Sequence, residues 1–239
     1  MPSPAKPRAP AHKRVRRNNE QDADRLREQF VEAAFALFSE GGLQAVSIRS
    51  VATRVGVSPM VLYWYFTDKN ELLTGLSLAV LANLTGCIRA STQGAKTPRE
   101  RLRALVESFL SYWEDNPDHY CLVYGFTETG KAREGKSKLA QFPLYADILE
   151  HAQRVTAEFA ASIGVADTHV KLASDIRLAM SLGYLHGTMV ATRYPWSDAA
   201  MLRRAYVERT MEAVEGCLLL GPAAAPAPAG ARGTARKRA

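Results

Sequence analysis

The chain has few cysteines, no long apolar run and no segment with the alternating pattern of a β-strand. Its three cysteines, Cys87, Cys121 and Cys217, are odd in number and lack the spacing of metal ligands. Such a set favours reduced thiols in a reducing compartment over a disulfide framework. No uninterrupted apolar run approaches the ~18 residues that a membrane-spanning helix needs. We therefore expect an all-α protein with a cytoplasmic location and no membrane partner.

The sequence also lacks the motifs of common catalytic and cofactor sites. Its five histidines are scattered, and only His119 with Cys121 forms a short metal-like pair, which has no partners at zinc spacing. It contains no nucleophile elbow, phosphate-binding glycine loop or dinucleotide fingerprint. We expect neither enzyme activity nor a metal or other cofactor.

Acidic residues are missing from both ends of the chain. Residues 1–19 contain six basic residues and residues 221–239 contain four, which leaves the body between them at −3 although the whole chain is +7. Both ends are also rich in proline or alanine, so we predict that they are disordered. Basic tails of this kind are compatible with nucleic acid, an acidic membrane surface or solubility alone.

The most informative stretch predicts two short helices joined by a tight turn. Ser47 is placed to cap the first helix, and Gly56 to form the turn between them. Ser58 followed by Pro59 supplies the cap and the first-turn proline of the second helix. The spacing is typical of a helix-turn-helix, although the helical corner of an unrelated all-helical protein offers the same pattern.

Further segments around this stretch carry a family resemblance. Phe38, Gly41 and Gly42 close a first helix, and V-A-T-R-V-G-V-S and L-Y-W-Y-F-T-D-K-N-E-L-L follow. Together they resemble the DNA-binding domain of the tetracycline-repressor (TetR) family, over about residues 24–75. The resemblance implies an N-terminal helix-turn-helix domain and a C-terminal helical domain that binds a small ligand and dimerises. Beyond about residue 80 only this general architecture is carried over.

A recognition helix from Ser58 to Trp64 is about two turns long and can enter a major groove roughly 12 Å wide. Pro59, Met60 and Val61 at its start offer mainly apolar contact, which suits thymine methyl groups. Arg49, near the start of the preceding helix, can pair with guanine O6 and N7. The resemblance supports this role, because the arginine at this position reads a base in some family members.

Other side chains are expected to position the DNA backbone. The resemblance places the Tyr63 hydroxyl at a phosphate, and Lys69 adds its charge at the start of the following helix. The hydroxyls of Ser47 and Ser58 are further candidate contacts, and the same hydroxyls are candidate helix caps. Trp64 is suited equally to stacking on DNA and to packing.

The remaining sequence shows helical periodicity to about residue 220. In the first of the last two predicted helices, from about Thr168 to Thr192, small residues recur every four positions, which lets another helix approach closely. These residues are Ala179, Gly183, Gly187 and Ala191. The last predicted helix, Asp198 to Leu220, carries a near-heptad stripe, and together the two helices predict dimerisation as a four-helix bundle. We predict a basic arm at 1–19, a helix-turn-helix domain at 20–75, a ligand-binding and dimerisation domain at 76–220 and a basic tail at 221–239.

Aromatic or polarisable residues on apolar helices are the candidates for contacting a ligand, and they are also candidates for the core. They are Trp113, Tyr120, Tyr124, Tyr145 and His186. We expect a homodimeric, sequence-specific transcriptional regulator, a repressor that a small-molecule effector releases from a palindromic DNA operator. The alternatives are a ligand-independent regulator or an activator with the same fold, and a non-specific DNA-coating protein driven by the two basic tails.

Overall fold

The computed structural model describes residues 11–125, 138–190 and 193–220, and these residues form helices without any β-strand. The predicted all-α fold is therefore confirmed. The α-helices are α1 (Ala11–Ala45), α2 (Ile48–Val55), α3 (Pro59–Tyr63), α4 (Lys69–Gly94), α5 (Pro98–Asp115), α6 (Pro117–Tyr124), α7 (Pro143–Ser162), α8 (Val170–Met189) and α9 (Ala199–Leu218). Short 3-10 turns at Lys138–Gln141 and Asp167–His169 precede α7 and α8.

Helix α1 begins inside the segment that was predicted to be a disordered arm. Its backbone is helical from Ala11, so the predicted boundary at residue 19 is too late. The prolines that oppose a helix all lie at or before Pro10, and residues 11–19 contain neither proline nor glycine. Residues 1–10 and the predicted tail at 221–239 lie outside the described residues.

Side chains cap the first turns of α5 and α4. Thr97 Oγ1 accepts from the Glu100 N–H at 3.2 Å, while the Glu100 carboxylate accepts from the Thr97 N–H at 3.0 Å. Asp68 accepts from the Glu71 N–H at the start of α4, at 2.8 Å. Each cap satisfies N–H groups that have no partner inside the first turn of the helix.

The chain divides into two compact units, and each is discontinuous in sequence. The first contains the described residues up to Ala90 and the described residues between Ser108 and Leu149. The second contains Ser91–Glu107 and the described residues from Glu150 onward. The predicted domain boundaries at residues 20–75 and 76–220 stay a prediction, since a single cut in the chain does not separate these units.

Each unit has its own apolar core. In the first, the core includes fully buried aromatic and leucine side chains: Phe30, Leu62, Phe66, Leu72, Leu76 and Trp113. In the second, α8 packs along α9, and the core includes Leu102, Val106, Phe159, Leu185, Val214 and Leu218. Ion pairs add to the second unit, where Arg103 of α5 donates to both Glu208 carboxylate oxygens of α9 at 2.7 and 2.9 Å.

Helix α4 contains a long apolar window. One 18-residue window has a mean hydropathy of 1.5, which is long and apolar enough to cross a membrane by length and composition alone. The sequence expectation of no membrane span is not overturned by this window, because a buried core helix passes the same test of length and composition. Leu72, Leu76, Val80 and Leu84 of this helix are buried inside the protein, where they contribute to the core.

Candidate nucleic-acid interface and effector site

Hydrogen bonds define both ends of α2, including the turn that leads into α3. Ser47 Oγ accepts from the Ser50 N–H at 3.0 Å, and Ser50 Oγ accepts from the Ser47 N–H at 2.9 Å. At the other end of α2, Gly56 has φ 81°, and the Val57 N–H donates to the Ala52 carbonyl at 3.0 Å. A left-handed residue at this point favours glycine, as the sequence predicted.

Helix α3 begins at Pro59 as predicted, but Ser58 makes no side-chain cap hydrogen bond. Its hydroxyl is exposed, so the predicted capping role is corrected. Proline at the first helical position removes one of the N–H groups that a cap would satisfy. Ser47, by contrast, is half-buried and its hydroxyl is engaged in the α2 cap.

The two helices are held against α1 by a buried apolar layer. Val51 and Ala52 of α2, Leu62 of α3 and Phe66 are fully buried. Phe30 of α1 lies with its ring centroid 6.3 Å from that of Phe66, in an edge-on arrangement. Helix α1 therefore braces the helix-turn-helix from behind, and Phe66 packs in the core.

Arg27 of α1 fixes the segment between α3 and α4. Its guanidinium lies 4.4 Å from the Phe66 ring centroid, donates to the Tyr65 carbonyl and forms an ion pair with Glu71 at 3.2 Å. Several hydrogen bonds lower the pKa of the Glu71 carboxyl. The largest effect comes from the Thr67 N–H, which donates to this carboxyl at 2.8 Å. Sequence reasoning missed this anchor, because Arg27 lies far from its partners along the chain.

The opposite side of α3 is exposed and mostly apolar. The exposed fractions are 65% for Met60, 52% for Tyr63 and 76% for Trp64, and Pro59 is exposed beside them. Val61 is half-buried. Large exposed side chains clustered on one short helix are unusual for a surface that contacts only water.

The basic side chains near α3 differ in their availability. Arg54 donates to both Glu40 carboxylate oxygens at 2.7 and 2.6 Å, and these hydrogen bonds lower the pKa of Glu40. Arg49 and Lys69 are exposed, and no salt bridge within the described part of the chain involves either. Of the two arginines on α2, Arg49 is therefore the one whose guanidinium is not already held by a carboxylate there.

Three of the predicted effector residues form one aromatic cluster in the first unit. Trp113 of α5 lies edge-on to Tyr120 and Tyr124 of α6, with ring centroids 5.7 and 5.4 Å away, and the two tyrosine centroids are 5.0 Å apart. Trp113 is fully buried, and its indole N–H has no hydrogen-bond partner within the described residues. A buried donor without an acceptor costs about 1–3 kcal/mol.

The other two predicted effector residues do not join this cluster. Tyr145 of α7 is half-buried in the first unit, and no ring contact among the described residues connects it to Trp113. His186 of α8 belongs to the second unit and is exposed. The sequence placed His186 between two glycines on an apolar helix, a pattern that does not distinguish an exposed side chain from a ligand contact.

Comparison with known proteins shows what the helix-turn-helix segment is similar to. Residues 30–76 match the model of the family described as bacterial regulatory proteins, tetR family, and they include all of α2 and α3. This stretch of the chain is similar to the DNA-binding domain of tetR-family regulators. The transcriptional activator FasR of Mycolicibacterium smegmatis is 34% identical over 109 residues, which are 46% of this chain and 50% of FasR.

Two further comparisons differ in what they cover. The transcriptional regulator BetI of Rhizobium meliloti is 35% identical over 80 residues, 34% of this chain and 39% of BetI. This chain thus spans half or less of the length of these curated relatives. A TetR/AcrR-family regulator from Thermobifida fusca has a TM-score of 0.55 at 22% identity and covers 79% of this chain and 97% of its own, which supports the fold alone.

One contact in the first unit was not predicted from the sequence. His119 of α6 links α1 to the aromatic cluster. Its ring is stacked on Phe38 of α1, and it directly precedes Tyr120 in the chain. Its only sequence signal was the short pairing with Cys121, which predicted nothing. Groups of histidine, cysteine and carboxylate that could hold a metal are absent from the described residues.

Proposed function

We propose that the protein is a homodimeric, sequence-specific DNA-binding transcriptional regulator, a repressor that a small molecule releases from a palindromic operator. The observation that carries the proposal is the α3 surface, where Met60, Tyr63 and Trp64 are exposed on a short helix held rigidly from behind. Such a helix fits the major groove, and its first residues meet base edges. Arg49 reads a guanine, and Tyr63 and Lys69 hold phosphates.

Dimerisation uses α8 and α9. Several large apolar side chains on or beside these helices are exposed in the single chain: Leu172, Val190, Met201, Leu219 and Leu220. A second copy of the chain is the natural cover for such a surface, because a two-fold axis places identical apolar patches against one another. A symmetric dimer presents two recognition helices to half-sites about 34–36 Å apart.

The effector binds at the cluster of Trp113, Tyr120 and Tyr124. The unpartnered indole N–H of Trp113 supports a ligand that carries a hydrogen-bond acceptor, such as a carbonyl or ether oxygen, on an apolar body. Accepting that hydrogen bond removes the cost of the orphaned donor, and the surrounding rings supply apolar contact. We do not assign Tyr145 or His186 a contact with the same ligand, although both remain candidates from the sequence.

Helix α6 connects this cluster to α1, the helix that braces the helix-turn-helix. Tyr120 and Tyr124 contact Trp113, while His119 on the same helix contacts Phe35 and Phe38 of α1. A ligand that displaces the tyrosines shifts α6 and with it α1, which braces α2 and α3. Binding of DNA and of ligand then oppose each other through one reciprocal coupling free energy.

The direction of regulation is the finer part of the proposal. FasR carries the name of an activator, and an activator has the same helix-turn-helix. A reporter gene behind the selected operator separates the cases: a repressor lowers expression and an effector restores it, whereas an activator raises expression. A ligand-independent regulator gives the same expression in the presence and in the absence of each candidate compound.

Selection of bound DNA from a random library tests the core of the proposal. We expect enrichment of a two-fold symmetric site with half-sites one helical turn apart, and a discrete footprint in the presence of excess competitor DNA. A non-specific DNA-coating protein would enrich no sequence and would leave no discrete footprint. That result would overturn the proposal, and so would specific binding by a variant that lacks α3.

A further inference from the structure

We propose that the start of α3 reads the C5-methyl group of pyrimidines in the major groove, and that it accepts 5-methylcytosine in place of thymine. The residues concerned are Pro59, Met60 and Val61, which we call the apolar reading surface. The inference rests on the proposed function and adds the chemical group that is recognised. It also implies that methylation of cytosine within the operator strengthens binding.

The side chains of the apolar reading surface carry no hydrogen-bond donor, and their only acceptor is the weakly accepting thioether sulfur of Met60. Met60 is nonetheless 65% exposed, and Pro59 is exposed next to it. Leu62, the next residue along, is fully buried and anchors this turn of the helix in the core. The apolar exposure is therefore fixed in position and is not the result of a loosely packed helix.

Base chemistry decides what such a surface can distinguish. In the major groove thymine presents an O4 acceptor and a C5-methyl group, whereas cytosine presents an N4 donor and no methyl group. Without a donor or a strong acceptor, these side chains discriminate little between O4 and N4, but they bury the methyl group. Since 5-methylcytosine carries its methyl group at the same ring position, this surface should treat it as it treats thymine.

The charges around the apolar reading surface favour DNA as its occupant over an apolar protein. Arg49 on α2 and Lys69 at the start of α4 are both exposed, on either side of α3 in the chain. Both can meet phosphates or base edges when α3 lies in the groove. The Tyr63 hydroxyl adds a neutral donor, so polar contacts surround an apolar centre.

The size of the effect follows from the area of one methyl group. Burying one such group changes an equilibrium constant about fourfold. A palindromic operator places each contacted methyl group twice, so removal of a symmetric pair should weaken binding about fifteenfold if the two half-sites are independent.

The test uses the wild-type protein and operators obtained by selection. Each thymine of the half-site is replaced in turn by deoxyuridine, which removes the methyl group and retains O4. We expect one to three positions per half-site to lose about fourfold in affinity per methyl group. At those positions a 5-methylcytosine·guanine pair should bind more tightly than a cytosine·guanine pair by the same factor. Deoxyuridine outside the half-sites is the matched DNA control.

Protein variants assign the effect to the surface. Met60→Gln keeps an unbranched side chain of similar length but adds polar atoms, and it should reduce the penalty for deoxyuridine at one position. Met60→Leu should retain that penalty. Since Met60 is exposed, neither variant should lower the melting temperature, and the wild-type measurement stands without them.

The outcomes separate this inference from the function on which it rests. An enriched operator that binds equally well with deoxyuridine at every half-site thymine overturns the inference and leaves the proposed function intact. Tighter binding to unmethylated cytosine than to 5-methylcytosine at the contacted positions overturns it as well. Failure to enrich any sequence overturns both proposals together.

Discussion

His119 of α6 is stacked on Phe38 of α1, with ring centroids 5.6 Å apart and ring planes inclined by 24°. Its Nδ1 lies 3.1 Å from Tyr112 Oη, and the Tyr112 hydroxyl lies 3.0 Å from the Val80 carbonyl. A tyrosine hydroxyl has one proton to donate, and the carbonyl can only accept it. Nδ1–H of His119 is therefore the donor to Tyr112, which leaves Nε2 of the neutral ring without a proton.

This arrangement makes stability depend on pH. Burial lowers the pKa of His119 below its ordinary 6.5, and Asp118 partly offsets that effect. The unfolded chain then binds this proton more readily than the folded chain, so the free energy of unfolding should fall as the pH drops from about 7 through the folded-state pKa. In His119→Phe, which keeps an aromatic ring against Phe38, that fall should be smaller. Urea unfolding at several pH values between 5 and 8 measures it.

The control for this prediction is His186→Gln, because His186 is an exposed histidine on α8. This variant should follow the wild-type pH dependence within error. Wild type and His119→Phe with parallel curves over the whole range would show that the proton on His119 is not linked to folding.

Arg49→Ala tests the assignment of Arg49 as a reader of guanine. We expect the preference at one base pair per half-site to relax by about 1–3 kcal/mol, the usual worth of a bidentate contact. Arg54→Ala is the matched control, since Arg54 lies on the same helix but holds Glu40 with two hydrogen bonds. Binding titrations against all single-base variants of the operator give the result, and an equal loss on every variant after Arg49→Ala would contradict the assignment.

Phosphate contacts should behave differently from base contacts. Tyr63→Phe and Lys69→Ala should weaken binding to all operator variants by a similar factor, because a phosphate carries no sequence information. The same titrations measure this uniform loss. A change in the preferred base after either substitution would show that the residue reads sequence.

How much was predictable depended on whether a feature is local in sequence. Ser47, Gly56 and Pro59 act on backbone groups within a few residues, and the sequence placed the helix-turn-helix and its turn correctly. The pairing of Arg27 with Glu71 and the stacking of His119 on Phe38 join distant segments. No periodicity or spacing encodes such contacts, so the anchor of the α3–α4 segment and the link through α6 were missed.

The row of small residues on α8 contacts a residue of the same chain that the sequence did not predict as its neighbour. A side chain added at Gly187 would meet the Trp196 ring at 3.2 Å, so the space above Gly187 is filled from within the same chain. At Gly183 an added Cβ meets nothing within 4 Å, and the residue is exposed. Ala191, the last member of the row, lies outside the described residues.

The dimer prediction is therefore tested at Gly183. If a partner helix crosses α8 closely, Gly183→Leu should overpack the crossing and weaken dimerisation at micromolar concentration by sedimentation. It should leave the helix content unchanged. Gly86→Leu on α4 is the control, because Gly86 is also exposed and an added Cβ there meets nothing within 4 Å.

Gly187→Leu should instead lower the melting temperature through its clash with Trp196. A Gly183→Leu variant that remains a full dimer would place the interface elsewhere.

The last prediction concerns the charge of the DNA-binding head and the arm before it. From Glu20 to Glu71 the sequence contains five basic and eight acidic residues, a net charge of −3. Arg27 and Arg54, two of the five, are already paired with carboxylates. A head with this balance repels phosphate overall, so it needs positive charge close by, and residues 1–19 supply six basic residues directly before it.

We expect the arm to neutralise phosphates, in the backbone or in the adjacent minor groove. Each phosphate neutralised adds about 0.9 to the slope of log affinity against log salt. Replacing Lys13, Arg14, Arg16 and Arg17 by Gln keeps the helix-compatible sequence of α1 while it removes four of the six charges. This variant should bind more weakly and should flatten the slope by roughly two or more per dimer, and deletion of residues 1–19 should do the same. The preferred operator should not change, because phosphate contacts carry no sequence information.

A matched change of Arg232, Arg236, Lys237 and Arg238 to Gln controls for net charge alone. An equal flattening by both sets would show that the position of the arm is irrelevant, and an unchanged slope in the first would identify the arm as a solubility segment.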